Sequence, residues 1–342
     1  MRLPRFEYIK PASIEEAVNA LELNSQSINQ ASNQSKILAG GTDLLVSMKQ
    51  RIIRPATIIG IKSIPELNSI SQENGSIKIG AAATLSEIAA NELIKEKLPM
   101  FCKAVKSVAS KHLRNAATIG GNICLDTRCW YFNQSQLWRD SRGLCHKTGA
   151  SLCHEIKNSD RCHAINNSDT APALITLDAK VILKKKGGER EIALKDFFKD
   201  NGSSHTTIEK NEILTSITIP VKNDDSHSTF IKVSLRKGID FSIGSIAASI
   251  SRDGNKISDI RIVIGSIVSA PVLLQKTSSI IMSAGLTEQS IAEASKTAAS
   301  ELGALTNLFT QSGYKRQLAE SMTARALTEL KEKIKGKGRG KI

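Results

Sequence analysis

Aromatic side chains are scarce in this chain of 342 residues, at 4%. A protein that stacks nucleic-acid bases needs aromatic platforms beside basic grooves. Here the net charge of +14 is spread over scattered lysines instead, so nucleic-acid binding is not expected. Cysteine is also sparse, and six residues are too few for a disulfide scaffold. No run approaches the roughly 18 apolar residues of a membrane span. The opening MRLPRFEYIKP has no apolar stretch of the secretory type. The expectation is a cytoplasmic protein with reduced thiols and no membrane association. No G-x-G-x-x-G follows a strand-like run, which argues against a Rossmann dinucleotide site.

What the chain does have is local. The stretch 128–163, RCWYFNQSQLWRDSRGLCHKTGASLCHEIKNSDRCH, holds both tryptophans and four of the six cysteines. Three of those cysteines are followed directly by histidine. The segment has no helix or strand period, yet its aromatic content argues against disorder. Part of the positive charge sits at the other end, in KEKIKGKGRGKI. Its alternation of Lys or Arg with Gly predicts a flexible basic tail over 333–342, suited to an acidic partner.

The remaining patterns predict an α+β protein. Ser13 and Glu16 form a capping-box pattern ahead of Ile14, Ala17, Val18 and Leu21, and Thr84 with Glu87 forms a second. Strands are expected at 36–40, 56–61, 76–84, 212–220, 229–235, 244–251 and 256–267. Residues 173–186 read as a strand pair with a turn near Asp178, and 97–112 as one long helix. Residues 25–36 read as a loop, and 221–228 as a polar linker. Gly254–Asn255 is a hairpin turn signal, and helices fit 287–302 and 311–333.

Three glycine-containing turns follow apolar runs: AGGTDL (39–44), IGAAAT (79–84) and TIGGNI (118–123). Glycine permits positive φ and close backbone approach, and successive N–H groups in such turns attract anions such as a pyrophosphate.

These segments, with FEYIKPASIEEAV before them and SDTAPALITLDAKV after them, come in an order that resembles the flavin subunit of the molybdenum hydroxylases. That is the xanthine dehydrogenase and carbon monoxide dehydrogenase family. SLRKGIDFSIGSIAASI resembles the start of the family's C-terminal flavoprotein domain. The resemblance implies bound FAD in a vanillyl-alcohol-oxidase-type fold of two subdomains, 1–60 and 61–220, followed by a small α+β domain over 226–332. It implies FAD contacts from Ala39, Gly40, Gly41, Thr42 and Asp43, from Thr84, and from Ala117, Thr118, Gly120, Gly121 and Asn122. Asp169 falls where the family carries a flavin-contacting acidic residue, and Lys232 and Arg236 would reach the flavin from the C-terminal domain.

In most of the family the G-G-N turn and the S-D-x-x-P-A segment are close together, so 124–165 is an insertion beside the flavin. Its cysteines are spaced C-x15-C-x7-C-x8-C. Four thiolates suit a [4Fe–4S] cluster or a tetrahedral zinc, although the short C-x2–4-C pairs of structural zinc are missing. CWYFNQSQLWR resembles the flavin and iron–sulfur subunit of 4-hydroxybenzoyl-CoA reductase. By that resemblance Cys129, Cys145, Cys153 and Cys162 hold an extra [4Fe–4S] cluster. Cys124 and Cys102 read as structural thiols, and His146, His154 and His163 as neighbours of the cluster or of solvent.

The resemblance also implies partners: a [2Fe–2S] small subunit and a molybdenum-cofactor large subunit, as a dimer of heterotrimers, with ferredoxin a candidate donor. The reaction implied is reductive dehydroxylation of an aryl-CoA such as 4-hydroxybenzoyl-CoA, with this chain relaying electrons. No nucleophile–base constellation makes the chain a complete enzyme by itself. Two other readings stand beside this one: the FAD subunit of an NAD-linked xanthine or aldehyde dehydrogenase, and a non-catalytic zinc-stabilised binding module.

Overall fold

The computed structural model describes residues 2–26, 35–221, 225–303 and 311–338. The first unit contains β1 (Glu7–Ile9), α1 (Ile14–Gln26), β2 (Ser35–Leu38), α2 (Leu44–Lys49) and β3 (Thr57–Gly60). Its strands are parallel in the order β1-β3-β2. Helix α1 starts at Ser13, whose hydroxyl accepts the Glu16 N–H at 3.1 Å, while the Glu16 carboxylate accepts the Ala12 N–H. Ala17, Val18 and Leu21 recur at helical spacing and are buried with Ile59 and Ile61. Each large apolar side chain buried in this way contributes about 1.5–3 kcal/mol.

The second unit is a sheet crossed by helices. It comprises β4 (Ile70–Glu73), β5 (Ser76–Gly80), α3 (Leu85–Ala90), α4 (Glu92–Lys97), α5 (Pro99–Ser107), α6 (Lys111–Arg114), α7 (Ile119–Ile123), α8 (Gln136–Arg142), α9 (Thr170–Thr176), β6 (Lys180–Lys185), β7 (Gly188–Ala193), α10 (Leu194–Phe197) and β8 (Ile213–Pro220). The strands are antiparallel in the order β4-β5-β8-β6-β7. The β4–β5 hairpin turns on Asn74 and Gly75, both with positive φ (49° and 73°), as an Asn-Gly hairpin requires.

The third unit is the antiparallel sheet β12-β11-β10-β9. Its strands are β9 (Ser226–Val233), β10 (Gly244–Asp253), β11 (Lys256–Gly265) and β12 (Val272–Leu273). Helices α11 (Gln275–Ala284), α12 (Glu288–Glu301) and α13 (Ser312–Gly338) follow. Strand alternation divides this sheet between two cores. Ile246, Ala248, Ile250 and Ile262 join Leu327 and Leu330 of α13. Phe230, Ala247 and Val263 join Phe101 of α5 and Leu174 of α9 in the core of the second unit. The sheet therefore fastens the C-terminal unit onto the helices that carry the candidate site.

Several expectations are corrected. The run 173–186 is not a strand pair: residues 173–176 end α9, all seven residues of which are buried, and Lys180–Lys185 is the single strand β6. A short apolar run without period does not distinguish a buried helix from a buried strand. The expected helix 97–112 is broken after Ser107, and Ala109 has a positive φ of 46°. The 118–123 turn is the short helix α7, capped by the Thr118 hydroxyl on the Gly121 N–H. Strand β9 begins at Ser226, inside the expected linker, and most of the loop at 25–36 lies outside the described residues. Helix α13 runs on to Gly338, where a flexible tail was expected. Its buried Ala319, Met322, Ala326, Leu327 and Leu330 anchor it upstream.

Candidate functional site

Three chain segments meet where the glycine motifs lie. A Cβ on Gly40 would fall 2.1 Å from the Ala116 carbonyl oxygen and 2.9 Å from Ala117 Cα. A Cβ on Gly120 would fall 2.8 Å from Ala81. Only glycine lets the 39–43 loop close on residues 116–117 and the start of α7 close on Ala81. Thr84 and Thr118 pair as an isolated bridge, and the Leu85 N–H donates to the Ala117 carbonyl at 2.9 Å. Ala39, Gly40, Gly41, Thr42, Asp43, Thr84, Ala117, Thr118, Gly120, Gly121 and Asn122 thus come together in space.

Their polar groups divide into two sets. The hydroxyls of Thr84 and Thr118 are used internally as helix caps, and Thr84 completes its capping box with Glu87. By contrast, the N–H groups of Gly40, Gly41, Thr42 and Asp43 donate to no protein acceptor among the described residues. Gly41 has a φ of 72°. A run of free N–H groups around one left-handed residue is a concavity with positive potential, fit for a diphosphate.

Asn122 connects this cradle to the SDTAP segment. Its Oδ1 accepts from Ser168 Oγ at 2.9 Å and Thr170 Oγ1 at 2.6 Å. Asp169 beside them is buried and accepts from Lys232 Nζ at 2.6 Å and Ser242 Oγ at 2.9 Å. Burial pushes its carboxyl above the usual range, against the pull of Lys232 and Ser242. The three donors of Lys232 go to Asp169, the Ser107 carbonyl and the Asp240 carbonyl. Arg236 is apart from this cluster: it is exposed, donates to the Ile239 carbonyl, and faces Asp240 at 3.7 Å. With Lys103, Lys106, Lys237 and Arg325 it lines an open cleft of about 730 Å³ that reaches Lys232.

The insertion hangs from a neck. Arg128 and Ile165 pair through reciprocal backbone hydrogen bonds of 2.8 Å, which closes residues 129–164 into a lobe. The lobe leans on the first unit: Arg139 donates to the Arg51 carbonyl at 2.8 Å and Arg54 bonds Gln136. Arg128 bonds Asp43 of the diphosphate cradle and lies 4.9 Å from the centre of the Phe241 ring. The neck of the lobe and the cradle are therefore in direct contact.

All four expected cysteine ligands, Cys129, Cys145, Cys153 and Cys162, line one small cavity inside the lobe. Cys153 accepts the Ile156 N–H at 3.4 Å. Burial pushes the Cys129 thiol up to about 12, with backbone N–H groups of Tyr131 and Phe132 pulling it down. Cys162 is raised for the same reason, with the Ala164 N–H opposing. Thiolates here require a compensating cation, which is what a metal group supplies. Backbone N–H groups aimed at sulfur are also how proteins set iron–sulfur potentials. The cavity's free volume is about 10 Å³, so a four-iron group needs the cysteine side chains to rotate outward. Among the described residues no three His, Cys, Asp or Glu side chains are drawn together tightly enough to hold a single metal ion.

The histidines brace the lobe. His146 bonds the Ser159 carbonyl at 2.9 Å, His154 the Gly143 carbonyl at 3.2 Å, and His163 the Ser159 hydroxyl at 2.7 Å. His154 also sits 5.7 Å from Tyr131, ring to ring. Cys124, just past α7, packs beside the core, and burial pushes its thiol up to about 12. Sequence reasoning missed Arg128, Lys147, Ser168 and Gly202. Only Ser168 carried a local signal, as part of the S-D-T-A-P segment. The other three matter through partners 20 to 85 residues away.

Residues 4–222 match the family described as "FAD binding domain in molybdopterin dehydrogenase". Residues 229–330 match the CO dehydrogenase flavoprotein C-terminal domain. The glyceraldehyde dehydrogenase medium chain of Sulfolobus acidocaldarius is 26% identical over 328 residues, covering 96% of this chain and 99% of its own. The carbon monoxide dehydrogenase medium chain of Hydrogenophaga pseudoflava is 27% identical over 325 residues, covering 95% and 96%. In fold, the chain resembles solved carbon monoxide dehydrogenase from H. pseudoflava (TM-score 0.78, 24% identity, 96% and 98% covered). It resembles quinoline 2-oxidoreductase from Pseudomonas putida 86 equally well (TM-score 0.78, 22% identity, 98% and 99% covered). No helix among the described residues is long and apolar enough to cross a membrane. The chain is an FAD-binding medium subunit of the xanthine dehydrogenase and carbon monoxide dehydrogenase family of oxidoreductases.

Proposed function

We propose that this subunit carries a [4Fe–4S] cluster in addition to FAD and relays electrons for a molybdenum-cofactor partner. The observation that carries the reading is the convergence of Cys129, Cys145, Cys153 and Cys162 on one cavity in a lobe whose neck residue Arg128 bonds the glycine cradle. When bound, the two groups supply complementary chemistry: a cluster exchanges single electrons and a flavin exchanges one or two. The chain's own residues supply placement. The free N–H groups of 40–43 hold the FAD diphosphate, with Thr84, Ala117, Thr118 and Gly120–Asn122 shaping the trough. Asp169, fixed by Lys232 and Ser242, presents a buried polar group towards the flavin, and Arg236 borders the entry cleft.

The domain plan proposed is two vanillyl-alcohol-oxidase-type subdomains (1–60 and 61–220), the iron–sulfur lobe at 124–165, and the C-terminal domain at 226–332. The partners proposed are a [2Fe–2S] small subunit and a molybdenum large subunit in a dimer of heterotrimers, with a low-potential donor such as ferredoxin. On the resemblance of CWYFNQSQLWR alone, the reaction proposed for the complex is reductive dehydroxylation of an aryl-CoA such as 4-hydroxybenzoyl-CoA. Four separate thiols around one cavity, with no three potential ligands among the described residues drawn together on a single ion, favour a cluster over zinc, whose four sulfurs must all lie about 2.3 Å from one ion.

The test is anaerobic purification of the complex with and without Cys145→Ser. The wild type is expected to carry about four more irons per medium subunit than the variant, with equal FAD. Equal iron in both refutes the ligand assignment.

A second reading has one observation in its favour. The cleft lined by Lys103, Lys106, Lys237 and Arg325 suits an anionic carrier of the nicotinamide type, as in an NAD-linked dehydrogenase. Anaerobic NADH should then bleach the flavin; an unchanged flavin spectrum removes this reading.

A further inference from the structure

Lys147 is a buried cation in the wall of the cysteine cavity. Its side chain is 6% exposed, and it lines the cavity with the four thiols. The ammonium is held by Asp126 Oδ1 at 2.7 Å, the Thr127 carbonyl at 3.0 Å, Thr127 Oγ1 at 2.5 Å and the Gly202 carbonyl at 2.9 Å. The Phe132 ring covers it at 5.1 Å. Gly202 in turn donates its N–H to the Cys162 carbonyl at 2.8 Å. One network therefore fixes both the cation and the backbone of one candidate ligand.

A lone buried ammonium costs several kcal/mol unless it is paired and hydrogen-bonded. Here the pairing is one-sided. Asp126 is half exposed and absent from the cavity wall, so of the two charges only Lys147 lines the cavity with the thiols. Among charged side chains lining the cavity, Glu155 is the other, at 4.0 Å from Cys129 Sγ. A structural role alone would be met by an apolar side chain in this wall, without the burial of a charge.

We propose that Lys147 sets the reduction potential of the group held by the four cysteines, its fixed positive charge favouring the reduced, more negative form. Resting on the cluster reading above, this makes Lys147 a tuning residue rather than a ligand. In a low-dielectric wall such a charge acts strongly, because neither water nor salt screens it well. Asp126 opposes it from farther away. Removal of either charge must then move the potential, and the two removals must move it in opposite directions.

The experiment is an anaerobic redox titration of the whole complex, followed by the EPR signal of the reduced cluster. It compares wild type, Lys147→Met, Lys147→Arg and Asp126→Asn at pH 8. At that pH His205, which burial holds below the ordinary histidine range, is neutral. Iron per chain is measured on each sample. Lys147→Met should lower the reduced-to-oxidised ratio at a fixed potential at least tenfold, which is about 59 mV for a one-electron couple. Lys147→Arg should stay near wild type, and Asp126→Asn should shift upward. If Lys147→Met does not load iron, the upward shift in Asp126→Asn carries the test. Iron-loaded variants that titrate with wild-type potentials, or shift in the same direction, overturn the proposal while leaving the cluster reading intact. Wild-type protein lacking the four-iron signal overturns both.

Discussion

Lys232 of β9 and Asp169 at the start of α9 form a buried ion pair, Nζ to Oδ2 at 2.6 Å, across the junction between the C-terminal and flavin-binding units. Both side chains are nearly closed to water, at 12% and 5% exposure. Breaking such a pair from one side leaves a buried charge unpaired, at a cost of about 3–5 kcal/mol. Lys232→Met should therefore destabilise the subunit by roughly that amount in chemical denaturation. The double variant with Asp169→Asn should recover part of the loss, because no charge is then stranded. Additive losses in the double variant would show that the pair is not coupled.

Gly40→Ala tests the glycine cradle. The new methyl would lie 2.1 Å from the Ala116 carbonyl oxygen, and the opposing atoms are backbone, so the loop must move. Flavin absorbance per purified chain should fall several-fold, while the iron content of the lobe stays the same. Full flavin content in Gly40→Ala would remove the close approach of the two segments from the account.

Gly202→Ala tests the lobe in the same way. A Cβ there would meet Ala164 N and Cβ at 2.7 Å, in the segment that leads out of Cys162. Here the pattern is reversed: iron is lost and the lobe becomes protease-sensitive, while FAD is retained. Loss of both cofactors together would mean that lobe and cradle unfold as one unit.

The pH prediction follows from His205. Its pKa is depressed, chiefly by burial, with Asp126 opposing. A histidine that resists protonation when folded leaves the unfolded state binding more protons as the pH falls. Its contribution is complete above the unfolded pKa of about 6.5 and is lost as pH falls through the lower folded value. Thermal stability should decline below about pH 6.5, and His205→Gln should flatten that decline. An unchanged slope in the variant would assign the acid sensitivity to other groups.

Much of this molecule was legible in the sequence where the signal is local. The Thr84–Glu87 capping box, the β10–β11 hairpin at Gly254–Asn255 and the buried face of α1 all rest on residues a few positions apart. The four cysteines were legible by type and clustering, and they do meet in one cavity. Long-range geometry was not legible. Nothing near Lys147 marks it as buried, because its acceptors at Asp126, Thr127 and Gly202 come from other parts of the chain. Helix α9 was misread because its environment, buried on every side, erases the amphipathic period. The role of Gly120 was misread too: it lies within α7, and its lack of a side chain serves contact with Ala81 rather than a turn.

The central claim is that four cysteines hold a four-iron cluster beside the flavin cradle. Iron-edge anomalous diffraction from crystals of the anaerobically prepared complex tests it most directly. The account predicts a strong iron peak inside the 129–164 lobe, bonded to the sulfurs of Cys129, Cys145, Cys153 and Cys162. A peak in that cavity that appears only above the zinc edge, with none between the iron and zinc edges, or no anomalous density between those four sulfurs, would contradict it.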